Sequence, residues 1–347
     1  MNGQPSDTNP AAIVPPDGCV QPSDVSSTAL NQDPTPAVHK IFLGPNGLRA
    51  GWRVLIYVAL VFAIVWTSVH IRRLIGFKFS ELGGQNAPAF IIATRVEAVF
   101  AMLLAAFGMS KIERRPIGDY GLPARGAFGK LFWEGLLWGF VSLSLLLVVL
   151  RVTGAFYFGN IALNPQAALQ YAAIWGVAFL LVAFMEEYMF RGYVQYTLTT
   201  GIGFWPTAIF LSLLFAWAHK SNPGETWLGV IDVFLAGLVL AAMLIRTGNL
   251  WLPVGFHLGW DWAESYFYGV ADSGMQAQGA LLHPNIPANR PAWLTGGTVG
   301  PEGSIFSCIV EILLIVLIMW RFRQNRYPAP EPKFIANLNS GTLPSST

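Results

Sequence analysis

Charge is scarce in this chain. Of 347 residues, 12% are charged and 54% are hydrophobic, whereas about a quarter of a soluble domain is charged. The shortfall is concentrated in long apolar runs, which excludes an ordinary soluble domain and makes lipid the solvent. Cysteine is scarcer still. Cys19 and Cys308 lie far apart, so no disulfide framework and no cysteine ligand set can form. A formal net charge of +2 is too small to point to nucleic acid as a partner. Residues 1–40 lack the apolar core of a signal peptide, and no apolar run precedes Cys19 as a lipid-attachment site would require. The final Leu-Pro-Ser-Ser-Thr is not a prenylation box. The His-Glu-x-x-His spacing of soluble zinc proteases is also missing.

What is present is a series of apolar runs. They predict an all-α fold, a polytopic transmembrane bundle of about eight helices. The expected spans are 54–71, 88–109, 131–150, 169–190, 204–219, 227–245, 251–268 and 304–320. The fifth is short for a crossing, and seven spans result if it does not cross. Residues 1–45, rich in Pro, Ser, Asn and Asp, read as a disordered arm, residues 46–322 as one helical membrane domain, and residues 323–347 as a disordered tail. Lys111, Arg114, Arg115, Arg125 and Lys130 fall in one loop, and Arg-Phe-Arg-Gln-Asn-Arg follows the last span. The excess of basic residues places both segments, and with eight spans both termini, in the cytoplasm. Arg72, Arg73 and Lys78 disagree, because they then fall outside. Gly135 and Gly139, like Gly255 and Gly259, stand four apart, a spacing that lets helix backbones approach closely. Trp260, Trp262, Tyr266, Phe267 and Tyr268 read as an aromatic belt at the membrane interface.

Charges inside apolar runs cost about 2.5–3.5 kcal/mol each at a span centre, so each needs a reason. They are densest in Phe184–Gly192, Phe-Met-Glu-Glu-Tyr-Met-Phe-Arg-Gly. Glu187 and Arg191 are four apart and read as a structural ion pair. Glu186 points about 100° away from Glu187 and is left without that partner, which suits it to take a proton from water. Phe215–His219 supplies a histidine on the next run. His257 and Asp261 share a helical face on a third, where Asp261 can orient the imidazole or bind a metal or substrate group itself. A single membrane histidine is commonly just an interhelical hydrogen bond. Together, Glu186, His219 and His257 allow two designs. They can hold a divalent metal, zinc being the first choice, with its water. Alternatively, glutamate and histidine activate a water without metal while the other pair stabilises an oxyanion. Buried acids and histidines also serve proton relays, so a non-hydrolytic carrier or interaction scaffold with a buried polar cavity is the competing reading. Arg95 and Glu97 do not face each other on a helix. Glu134 sits near a span start, Glu311 is mid-span, and Glu264 is near the His257 face, either closing the cavity or pairing with an arginine.

Glu-Glu-Tyr-Met-Phe-Arg at 186–191, Phe-Ala-Trp-Ala-His at 215–219 and His-Leu-Gly-Trp-Asp at 257–261 resemble, in order, the three motifs of the CPBP family. This is the CAAX-protease and bacteriocin-processing group of intramembrane proteases. Ile-Gly-Asp-Tyr-Gly-Leu-Pro at 117–123 also resembles a segment these proteins carry, and the likeness covers about residues 110–270. The resemblance implies an intramembrane endopeptidase, commonly labelled a metalloprotease, in a multi-pass bacterial plasma-membrane protein. It implies a membrane-tethered peptide or protein substrate and a cavity open toward the cytoplasm. Glu186 would activate water with His219. His257 and position 261 would stabilise the oxyanion, and Glu187 and Arg191 would support them. Position 261 departs from the family. It is Asp261 where asparagine is usual, and an ionised carboxylate cannot donate to an oxyanion. Asp261 is then protonated, orients His257, or favours a metal-bound design.

Overall fold

The computed structural model describes residues 41–44 and 47–327. Most of the expected arm 1–45 and tail 323–347 lies outside the described residues. Each apolar run becomes a helix: α1 Ala50–Leu74, α2 Pro88–Glu113, α3 Lys130–Val152 and α4 Pro165–Arg191. They are followed by α5 Tyr193–Ile202, α6 Phe204–His219, α7 Trp227–Thr247, α8 Trp251–Asp261 and α9 Ile305–Arg321. Among the described residues, five rods are long and apolar enough to cross a membrane: α1, α2, α3, α4 with α5, and α7. The protein is an all-α polytopic bundle. The 16 residues of α6 reach only about 24 Å at 1.5 Å per residue. At 11 residues α8 is shorter still, and it continues into a π-helical turn, Trp262–Phe267.

Local sequence explains the ends. Asn164 Oδ1 accepts from Ala167 N at 2.9 Å, and Thr226 Oγ1 accepts from Gly229 N at 3.1 Å. These caps satisfy donors that the first turns of α4 and α7 leave free. Gly248, at φ +78°, closes α7 in the left-handed region.

Loop contacts define two faces. On one, Leu250 N donates to the Gly121 carbonyl and Arg326 N to the Ile245 carbonyl, at 2.8 and 2.9 Å. Trp251 Nε1 donates to the Pro123 carbonyl at 3.0 Å, so the 117–123 segment docks on the start of α8. The basic loop 111–130 and the arginines after α9 belong to this face. On the other face, β1 Tyr157–Ile161 pairs antiparallel with β2 Leu282–Asn285, with Asn160 opposite His283. There Trp175 Nε1 donates to the Gln278 carbonyl and Gly274 N to the Val299 carbonyl, both at 2.8 Å. The strand pair has no counterpart in the sequence reading, because strands this short and exposed leave little periodic pattern.

The paired glycines do what their spacing predicts. A Cβ on Gly135 or Gly139 would strike the backbone of Leu252 or Phe256, and one on Gly255 or Gly259 would strike Phe132 or Leu136. Bare backbone therefore presses α3 and α8 together. The aromatic belt, by contrast, is overturned. Trp260, Tyr266 and Tyr268 are buried, and Trp262 and Phe267 pack against the core clusters. They fill the interior because α8 itself runs inside the bundle. Arg72, discordant by position, donates to both Glu97 oxygens at 3.1 and 3.0 Å and lies over the Phe79 ring. Its charge is matched locally. Glu134 lies 3.7 Å from Arg321.

Candidate active site

Glu186 and Glu187 lie in the last turns of α4, just before the chain turns at Gly192. Glu187 and Arg191 are fully buried. Arg191 Nη1 donates to Glu187 Oε1 at 3.0 Å, and the guanidinium lies over the Phe215 ring of the second motif. A charge this deep needs its partner, and each supplies the other's.

His257 is positioned from the opposite side of its helix. Gly255 and Gly259 press α8 onto α3. Two residues along an α-helix turn about 200°, so His257 faces away from α3. His257 Nδ1 donates to Glu187 Oε1 at 3.0 Å, the oxygen that also accepts from Arg191. Its Nε2 lies 3.4 Å from Asp261 Oδ2 and 3.8 Å from Glu186 Oε2. The orienting contact on Nδ1 is therefore made by Glu187. Asp261, considered for that task in the sequence, stands instead beside the working nitrogen.

His219 ends α6 and makes no hydrogen bond to Glu186 or His257 among the described residues. Its Nδ1 is 2.8 Å from the Phe215 carbonyl. A carbonyl only accepts, so Nδ1 carries the proton and Nε2 keeps its lone pair in the neutral ring. Glu186, His219, His257 and Asp261 all line one cavity of about 530 Å³. Phe179, Val182, Met185, Met189, Phe190 and Phe256 supply its apolar wall. Every loop residue lining it comes from the face opposite the basic loop: Gln85, Asn86, Asn222, Pro223, residues 272–275 and Glu302.

The sequence reading missed a second set of acids. Asp232 lies within α7, and Asp272 and Glu302 sit in the loops beyond α8. All three line the cavity, as does Glu311 of α9. Asp232 could have been found as a carboxylate inside an apolar run. Asp272 and Glu302 carry no such signal, because they sit in an ordinary polar loop until the fold draws it over the chamber. Burial pushes Asp272 up to about 6, against the lowering effect of the Ser265 hydrogen bond and His257, and pushes Glu302 up to about 8 with Asp272 adding to the shift. Glu264 is fully buried beside them and has no arginine partner among the described residues. Among the described residues, the trio whose ligand atoms all lie within 4.8 Å of one another is Glu264, Asp272 and Glu302. Glu186, His219 and His257 do not form such a trio.

Residues 167–263 match the family model described as Type II CAAX prenyl endopeptidase Rce1-like. The match contains all three motifs, so this segment is similar to CAAX-type prenyl endopeptidases. The chain is also 39% identical over 79 residues to the uncharacterized protein YpbD of Bacillus subtilis (strain 168). That similarity covers 22% of the chain and 36% of the relative, so the chain spans about a third of the curated protein it matches. No solved structure matches it.

Proposed function

We propose that the protein is an intramembrane endopeptidase that hydrolyses a peptide bond of a membrane-associated substrate. The observation that carries this reading is the meeting of Glu186, His219, His257 and Asp261 in one half-apolar cavity, with His257 held by the buried Glu187–Arg191 pair. A water between Glu186 and the free Nε2 of His219 gives up a proton as it attacks the carbonyl carbon. His257 acts as the imidazolium, one N–H on Glu187 and the other flanked by Asp261 and Glu186, and its Nε2–H donates to the oxyanion that forms. The proton then passes to the leaving nitrogen as the C–N bond breaks. Glu187 accepts from Nδ1 and keeps the donor on Nε2 aimed at the chamber. Glu186, His219 and His257 do not form a close ligand trio among the described residues, and acid–base chemistry of these side chains carries the proposed step.

Asp261 contributes to the oxyanion site only when protonated. Its place beside His257 Nε2 suits a carboxyl group that hands on or shares a proton there. A carrier needs a polar path reaching both faces, and the loop lining of this chamber comes from one face, which favours the hydrolytic reading.

The direction of access follows. The basic loop 111–130 and the arginines after α9 are cytoplasmic by charge, whereas the loops lining the chamber belong to the other face. The substrate's scissile bond therefore enters from the non-cytoplasmic side, in contrast to the cytoplasm-facing cavity implied by the family resemblance. An exported peptide held in the outer leaflet by an apolar anchor fits this geometry.

The test is a cleavage screen on native membrane substrates, with the Glu186→Ala protein as control. Loss of cleavage in a variant that still inserts and folds supports the reading. Cleavage by Glu186→Ala at the parental rate would sink it.

A further inference from the structure

Beyond the residues given to hydrolysis, three carboxylates converge at the roof of the chamber. Glu264 comes from the π-helical turn after α8, Asp272 from the loop that follows, and Glu302 from the segment before α9. One oxygen from each lies within 4.8 Å of the others. No ion pair to Lys, Arg or His is formed by any of the three among the described residues. Hydrogen-bond donors cover part of the charge. Asp272 accepts from Ser265 Oγ at 3.2 Å, and Glu302 accepts from Trp260 Nε1 at 3.1 Å and Ser273 Oγ at 3.4 Å. Glu264 is different. It is wholly buried, and among the described residues neither of its oxygens has a hydrogen-bond partner. A fully buried carboxylate without a donor is costly unless something cationic or a proton meets it.

We propose that Glu264, Asp272 and Glu302 bind a divalent cation of the hard, oxygen-seeking kind, calcium in first place. The donors are all oxygen, which suits calcium, magnesium or manganese and disfavours the softer metals that seek sulfur or imidazole. Calcium–oxygen distances of about 2.3–2.6 Å place two ligands on one ion no more than about 5 Å apart, and the trio fits within that limit. Calcium takes six to eight oxygens in flexible geometry. Three carboxylates supply up to six, and the chamber admits water for the rest. The ion ties the π-helical turn to residues 272 and 302, fixing the roof over His257 without joining the hydrolytic step. The site does not depend on the protease reading.

The experiment uses the full-length protein purified in detergent, stripped with EDTA and titrated with calcium, magnesium, manganese or zinc chloride. Bound metal is counted by mass spectrometry and thermal unfolding is followed in parallel. One calcium per chain is expected, with a rise in Tm that Glu264→Gln and Asp272→Asn each abolish. Their calcium affinity should fall by at least the roughly 10–100-fold that even outer partners of a metal contribute. Asp232→Asn, which alters a cavity acid outside the trio, should bind calcium as the parent does. A stripped parent that takes up no stoichiometric divalent ion overturns the site, as does binding left unchanged in both trio variants. Stoichiometric zinc with no calcium overturns the hard-cation assignment. If Glu264→Gln fails to fold, Asp272→Asn and the parental stoichiometry still decide.

Discussion

Glu187 Oε1 accepts two hydrogen bonds at 3.0 Å, one from Arg191 Nη1 on its own helix and one from His257 Nδ1 across the bundle. A residue read as half of a structural ion pair is therefore also what aims the histidine. Glu187→Gln keeps the shape and an acceptor oxygen but loses the charge. It should lower kcat by about 100-fold, the low end of what a positioned acid or base supplies, while KM changes little. Glu187→Ala strands Arg191 in the interior and should cost about 3–5 kcal/mol of stability. A Glu187→Gln enzyme with parental kcat and a raised KM would place this residue in substrate binding.

The motif residues could be read from sequence because charge in an apolar run is conspicuous and helical spacing says which charges share a face. Glu187 and Arg191 meet as their spacing requires, and the eight apolar runs all became helices. Contacts between helices could not be read. Nothing local says that Glu187 reaches His257, 70 residues away, or that loop residues Asp272 and Glu302 fold over the chamber. The aromatic residues of 260–268 were misplaced for a related reason. Composition marks them as membrane-associated, but only the glycine-to-glycine packing of α8 against α3 puts them inside.

That packing is open to test. Gly139→Ala places a methyl group against the Phe256 carbonyl and the Trp260 amide, and neither backbone group can step aside. The expected loss is about 1–3 kcal/mol, as for other overpacked sites, read as a lower Tm in detergent. Gly51→Ala is the control, since no atom lies within 4 Å of its added Cβ, and helix propensity alone should leave it neutral or slightly stabilised. Equal Tm values for the two variants would mean that α3 and α8 do not touch as described.

Asp261 gives a third prediction. Its Oδ2 lies 3.4 Å from His257 Nε2, at the position where the family that its motifs resemble usually has asparagine. Asp261→Asn supplies a permanent N–H donor at that point, so cleavage should persist, with less dependence on pH than in the parent. Asp261→Ala removes donor and acceptor together and should fall well below both. If asparagine is as damaging as alanine, the carboxyl group itself is required and the oxyanion role passes to His257 alone.

The direction of the chamber can be measured without a substrate. Cys308 is buried, so a chain with Cys19→Ser and Cys308→Ala provides a background for single reporters. Asn86→Cys and Pro223→Cys lie in loops lining the chamber, and Arg125→Cys lies in the basic loop. In intact cells a membrane-impermeant maleimide should label the first two and spare the third, which should react only after permeabilisation. A probe that enters the chamber from outside should also slow labelling at Asn86→Cys, whose side chain sits at its rim. The reverse pattern would put the chamber mouth in the cytoplasm, against the charge distribution. Peptides exposed on that side would then become the substrates to screen.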